Sequence, residues 1–308
     1  MTIARARFRL AGAAVALFAA ACSGRQPIPA ASATPFLWRV EGAAGQGWLY
    51  GTMHVSEPRA VLLPAAVEAA LTESAAVYTE IEGGLSATTS LLQAGNLPPT
   101  ERLPDLLPAE LHQRLAGYLQ ERKLTMREFD SLRPWLATVM LGQLDAMELL
   151  RYGQPLDEVI RQRATQAGIR IGALETVDEQ VAAISSGSEE DHVHLLDVSL
   201  TRLEEDRKEG RTRLLELYEA WLRGDEGVLL RLNAEGLDLT DPAQSRWWDQ
   251  LFTQRNLRMA ERADRILREA GGKPVFFALG TLHFLGEGSV VDQLRARGWS
   301  VTRRREAP

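Results

Sequence analysis

The sequence predicts an α/β fold: a central mixed β-sheet flanked by helices, with a large helical insertion between two strand–Gly-x-x-His half-repeats. Three observations predict it. Short apolar runs rich in β-branched and aromatic residues alternate with longer stretches of helical periodicity. One such run, Trp48-Leu49-Tyr50-Gly51-Thr52-Met53-His54, is echoed near the other end of the chain by Phe277-Ala278-Leu279-Gly280-Thr281-Leu282-His283. The composition, 45% hydrophobic and 25% charged over 308 residues, is that of a globular chain able to bury a core.

Taken in order, 38–40 and 47–53 read as a strand pair around a turn at Gly42–Gly45. Residues 76–81 (AVYTEI) form a strand stopped by Gly83-Gly84, and 169–174 (IRIGAL) and 275–279 (VFFAL) are further buried-type strands. Residues 299–302 read as a final edge strand. Helices are expected at 60–71, 108–123, 134–150 and 156–167. Thr176 and Glu179 have capping-box spacing and open another helix towards Ile184. Residues 189–223 and 242–270 are long, charged and helical, and Gly271-Gly272 suits the second one's C-terminus. They read as a lid over a cleft or as a partner surface. The loop 83–107 carries a helical patch. No boundary cuts 36–305, which reads as one domain.

The first residues carry a different message. Arg5, Arg7 and Arg9 precede an uncharged run from Leu10 to Ala21, the plan of a secretory signal over 1–21. The run is shorter than the roughly 20 residues a spanning helix needs. Cys22, the sole cysteine, follows Phe18-Ala19-Ala20-Ala21 and resembles the lipobox of bacterial lipoproteins. Residues 22–35 then form a Pro-, Ala- and Ser-rich lipidated tether, and Ser23 resembles the outer-membrane sorting pattern. The expected place is therefore the periplasmic face of the outer membrane, held by acyl chains alone. Plain signal cleavage, leaving a soluble periplasmic protein, is the alternative. Loss of 1–21 moves the formal charge from −6 to −9. That balance argues against nucleic acid as a partner.

The chemistry lies at the strand ends. Both copies of the echo run an apolar strand into Gly-Thr-apolar-His, so within each strand Thr and His should share a face. Glu80 stands near the end of the 76–81 strand, with Glu82 on the same face, and 169–174 runs directly into Glu175. In open α/β sheets ligands gather beyond the C-terminal strand ends. Four such strands would bring His54, His283, Glu80 and Glu175 to one rim. Two imidazoles with one or two carboxylates make a divalent-metal set suited to Zn, Mn, Fe or Co. The carboxylates balance charge or act as general base.

These residues resemble the TraB/GumN family of bacterial proteins, which is similar to the Tiki-type membrane metalloproteases and more distantly to erythromycin esterases. The matching text is LWRVEG and GWLYGTMHVS, then YTEIE, ALET-VDEQ, LFTQRNLRMAERADRIL and FFALGTLHFLGEGSVVDQLRARGWSV, in order across 36–303. The resemblance implies that His54 and His283 belong to the active site, with Glu80, Glu175 and Arg255 in support. It also implies divalent-metal dependence. The segment Gly153-Gln154-Pro155-Leu156-Asp157 departs from the Gly-Val-Asp common there, and no role is assigned to Asp157.

Three functions follow. The first is a metal-dependent peptidase or amidase acting on a peptide or small-molecule substrate. His54, His283 and Glu80 are its ligands, Glu80 or Glu175 its base, and Arg255 binds a substrate carboxylate or an oxyanion. The second is a metal-free hydrolase whose His/Glu pair activates water. The third is a non-catalytic cleft for a peptide signal or a polysaccharide-assembly partner. His192 and His194 lie two apart in a helical stretch, roughly 200° apart around the axis, and do not form a chelating pair. No Gly-x-Ser-x-Gly elbow is present, which disfavours a serine hydrolase.

Overall fold

The computed structural model describes residues 34–305 except 146; the expected signal segment, Cys22 and the expected tether up to 33 lie outside the described residues. Six strands form one mixed sheet in the order β4-β3-β5-β2-β1-β6. β1 (Leu37–Gly42) and β2 (Gly45–Thr52) are the expected hairpin, paired antiparallel from Leu37↔Tyr50 to Gly42↔Gly45. β3 (Ala76–Thr79), β4 (Arg170–Ala173) and β5 (Val275–Gly280) run parallel to β2, with β5 lying between β2 and β3. β6 (Ser300–Arg304) pairs antiparallel with β1 and closes that edge. Val275 to Leu279 are buried throughout, as a central strand covered on both faces demands.

Helices cover this sheet with apolar stripes at helical spacing. Leu156, Ile160 and Ala164 share one face of helix Leu156–Gln166. Met259, Ala260, Ala263 and Leu267 do the same for the arginine-rich helix Gln254–Glu269. Both stripes join Leu49, Phe276 and Phe277 in one core, where each large apolar side chain contributes about 1.5–3 kcal/mol. The arginine-rich helix sits close because β2 carries glycines beneath it. A Cβ on Gly47 would lie 2.8 Å from Leu267 Cδ2, and one on Gly45 would strike the Leu267 carbonyl oxygen. That close seat sets the height at which Arg255 meets the sheet.

The helical insertion has its own core. Leu115 and Leu119 of helix Ala109–Glu121 meet Leu136 and Leu141 of Pro134–Asp145 and Leu196 and Leu200 of Glu189–Lys208. The structure divides several predicted helices. Residues 60–71 split into Pro58–Val61 and Ala65–Thr72 around Pro64, which lacks the N–H a continuing helix needs. Residues 189–223 break at Gly210, in the left-handed region at φ 67°, into Glu189–Lys208 and Arg213–Leu222. The 134–150 stretch divides into Pro134–Asp145 and Met147–Leu150. The 242–270 stretch stays helical but passes through one π turn, Asp249–Thr253, between Pro242–Trp248 and Gln254–Glu269. Among the described residues no helix is long and apolar enough to cross a membrane.

Candidate active site

The C-terminal ends of β2, β5, β3 and β4 form one rim, and each delivers a predicted residue to it. His54 follows β2, Glu80 follows β3 and Glu175 follows β4. His283 lies in the 3-10 turn Thr281–Phe284 after β5, not in the strand itself. The turn matters, because the two echo motifs are not superimposed across the sheet. Thr52 pairs with Gly280, one step out of register with the motif, and the Thr281 hydroxyl donates to the Thr52 carbonyl at 2.8 Å. The two threonines therefore do different things: Thr52 Oγ1 donates to Asp157 Oδ1 at 2.8 Å. Glu82 is exposed and leaves the rim, because β3 ends at Thr79 and its period of two stops there.

Glu80 is the hub. Its Oε1 accepts from the Gly280 backbone N–H at 2.6 Å and faces His283 Nε2 at 3.8 Å and His54 Nε2 at 3.9 Å. Its Oε2 accepts from Arg255 Nη2 at 2.6 Å and Gln180 Nε2 at 3.2 Å. Arg255 is buried and uses all three nitrogens, donating from Nε to Glu175 Oε2 at 2.8 Å and from Nη1 to the Leu251 carbonyl at 3.3 Å. The Glu175 side chain is 0% exposed and is met from its other oxygen by Arg258 at 3.4 Å. Its backbone N–H donates to the Glu80 carbonyl at 2.7 Å, which carries the β3–β4 ladder past the strand ends.

Both histidines are oriented from behind. His54 Nδ1 lies 2.7 Å from Asp157 Oδ2, and His283 Nδ1 lies 2.7 Å from Asn256 Oδ1. Asn256 Nδ2 donates to the Gly288 carbonyl at 3.2 Å, which fixes Oδ1 as the atom facing His283. Each imidazole thus donates from Nδ1 and turns Nε2 towards the same carboxylate oxygen, as a bare lone pair on neutral His283 and, on His54, once that ring gives up its Nε2 proton. This is the tautomer that metal-ligating histidines adopt. The Asp157 carboxylate raises His54 to about 10, whereas burial pushes His283 down to about 4. Burial would raise the Glu80 carboxyl, but the imidazoles, Arg255 and the Gly280 N–H hold it well below the usual carboxylate range.

Sequence reasoning passed over three of these partners. Asp157 was set aside for its unusual flanking residues, yet the N-terminal turn of helix Leu156–Gln166 carries it to His54. Asn256 was legible only as the neighbour of Arg255, and Gln180 only as part of the VDEQ text. His192 and His194 part as expected: His192 Nε2 lies 3.0 Å from the Ser186 carbonyl and His194 Nε2 2.5 Å from Asp241.

In donor type and tautomer, His54, His283 and Glu80 fit a divalent ion. The backbone leaves space among them as well. A Cβ built on Gly280 would lie 3.1 Å from Glu80 Oε1, 3.6 Å from His54 Nε2 and 3.7 Å from His283 Cδ2, so the bare Cα faces the point where the three approach. The set is open, however. Among the described residues no group of three or more His, Cys, Asp or Glu side chains is gathered closely enough to hold an ion. His54, with a side chain 63% exposed, is the member that opens the set to solvent.

The fold and rim define an α/β protein with paired imidazoles and carboxylates at the C-terminal ends of parallel strands. The chain belongs to the TraB/PrgY/gumN family, whose model matches residues 36–303. It is 27% identical over 319 residues to metalloprotease TIKI1 of Danio rerio, covering 90% of this chain and 64% of that protein. It is likewise 27% identical to a metalloprotease TIKI homolog of Nematostella vectensis (86% and 66% covered). Metalloprotease TIKI1 of Homo sapiens is 26% identical (86% and 61%). The chain therefore spans less than two thirds of the length of these relatives. No solved structure matches it.

Proposed function

We propose that this protein is a divalent-metal-dependent hydrolase of peptide or amide bonds, with His54, His283 and Glu80 as the residues that hold the ion. The observation that carries the reading is the approach of both Nε2 atoms to one oxygen of Glu80, each imidazole fixed from behind. The names of the relatives support it. When bound, such an ion supplies a Lewis acid and a water of lowered pKa. The chain supplies the rest. Asp157 and Asn256 hold the imidazoles in the right tautomer, and Gly280 and Arg255 pin the two oxygens of Glu80. Glu175, fully buried behind Arg255, positions that guanidinium and does not itself react.

A second reading has an observation of its own. His283 is neutral at physiological pH, and its Nε2 stands 3.8 Å from a carboxylate already bonded by an amide. A His/Glu pair at that spacing could activate one bridging water without an ion. Metal content separates the two. The chain from residue 23 onward, loaded anaerobically with Mn, Co, Zn or Fe, is expected to retain about one ion, lost in His54→Ala and His283→Ala. No retained ion under any loading sinks the metal reading in favour of the second.

We further propose that the protein is exported and anchored through Cys22 at the periplasmic face of the outer membrane, on the support of the leader and lipobox-like residues. Cys22→Ser should move it from the membrane to the soluble fraction. A Cys22→Ser protein that stays with the membrane would refute the anchor.

A further inference from the structure

Behind the rim, the helical insertion and the segment leading into the arginine-rich helix enclose a cavity of about 310 Å³. Trp135, Trp247, Trp248, Leu251 and Phe252 make its walls largely apolar. The cavity and the rim share one wall. Trp248 stacks on Phe252 with centroids 4.1 Å apart, and the Phe252 ring lies 5.2 Å from that of His283. The π turn Asp249–Thr253 supplies Leu251 and Phe252 to this wall.

One cation in the lining has no counter-ion. Arg202 Nη2 donates to the neutral Gln244 Oε1 at 3.0 Å, and among the described residues no carboxylate stands within ion-pair distance of it. Its neighbour on the same wall, Arg213, is paired with Asp206 at 2.8 Å. Glu205, Asp238 and Asp241 reach Arg202 only through longer-range attraction, and Arg213 repels it. Arg202 is half-buried in this lining, so its guanidinium stays partly open to solvent and to an anion. A planar carboxylate is the bidentate match.

We propose that this cavity binds the C-terminal end of a peptide whose last residues are bulky and apolar, the terminal carboxylate pairing with Arg202 and the side chains filling the aromatic walls. The volume lies at the small end of the roughly 300–1,000 Å³ range of ligand pockets, which suits one or two side chains better than a long acyl chain. That the bound peptide is the substrate rests on the hydrolase reading; the binding does not.

The test uses the chain from residue 23, with tryptophan fluorescence and calorimetry, and one tetrapeptide ending in Leu-Phe offered as free acid and as amide. The acid should bind roughly tenfold tighter or better. Arg202→Met should bring the ratio near one and Arg202→Lys should keep part of it, both with unchanged unfolding midpoints. A ratio near one in the wild type, or a preference that survives Arg202→Met, overturns the proposal. Should Arg202→Met fail to fold, the wild-type ratio and Arg202→Lys decide it. Decanoate binding more tightly than any peptide would also overturn it, in favour of a fatty acid. His283→Ala should keep the acid preference. Acid preference without cleavage of that peptide by the metal-loaded protein would sink the reading of the bound peptide as substrate and leave the cavity assignment standing. Cleavage without acid preference would sink the cavity assignment alone.

Discussion

Gly280 donates its backbone N–H to Glu80 Oε1 at 2.6 Å, and a side chain there would lie 3.1 Å from the same oxygen. The two glycines of the echoed motif therefore serve different ends. Gly51 is packed, since a Cβ on it would come within 2.7 Å of Thr281 Oγ1 and 2.9 Å of Phe36 Cβ. Gly280→Ala should lower turnover and ion affinity on the order of tenfold with little change in stability. Gly51→Ala should instead cost about 1–3 kcal/mol of stability, as overpacking does. Chemical denaturation beside activity separates them, and equal loss of stability in both would refute the distinction.

His54 must give up a proton to hold an ion. Asp157 raises it to about 10, so below that value the ion-free imidazole is charged. His283, pushed down to about 4, is already neutral above pH 5 and releases nothing. Affinity for the ion should therefore rise about tenfold per pH unit between roughly pH 6 and 9, one proton leaving per ion. Asp157→Asn should flatten that slope near neutrality and return His54 towards its ordinary value of about 6.5, read by NMR titration of the ring. A slope unaffected by Asp157→Asn would show that His54 is not the proton donor.

Arg255 binds two buried carboxylates at once. Arg255→Ala should cost about 3–5 kcal/mol, because Glu80 and Glu175 are left buried and unpaired. Arg255→Ala together with Glu175→Gln should recover part of that loss, and a double variant no more stable than the single one would show that the pairing is not the cause. Urea midpoints report it directly.

Glu179 ties the cap of helix Val177–Ile184 to the arginine-rich helix, meeting Arg262 with both oxygens at 2.5 and 2.7 Å. Arg262 holds its carboxyl down at about 2. Its folded value lies below its unfolded one, so the stabilisation is present above about pH 4.5 and is lost as pH falls through 2. Glu179→Gln should remove about 1 kcal/mol at pH 7 and flatten the acid limb. Thermal melts from pH 7 to 2 test it, and an unchanged acid limb would exclude Glu179 as its source.

The strands and the rim were legible because buried parallel strands are apolar runs whose ends mark themselves with a polar residue. Val275 to Leu279 followed by Gly-Thr-Leu-His is such a signal, and so is 169–174 ending at Glu175. The breaks within helices were harder to read. Gly210 is one glycine among 25 in the whole chain, and its left-handed φ is visible only in three dimensions. Asp157 escaped because its partner stands 103 residues away, a contact that periodicity cannot encode. Arg202 looked like any charge on a solvated helix. Its lack of a carboxylate depends on how helices far apart in the sequence meet around it.

β5 is bonded to β2 on one side and β3 on the other, so it joins β1–β2–β6 to β3–β4. It is also encoded after β1, β2, β3 and β4, immediately before His283. While the polypeptide is still emerging from the ribosome, His54 and Glu80 have nothing to bring them together, and the second imidazole has not been made. The rim is thus incomplete until the chain through His283 has been made. A protease that clipped the chain before residue 275 would remove His283 and the strand linking the two halves in a single cut, taking the rim apart all at once.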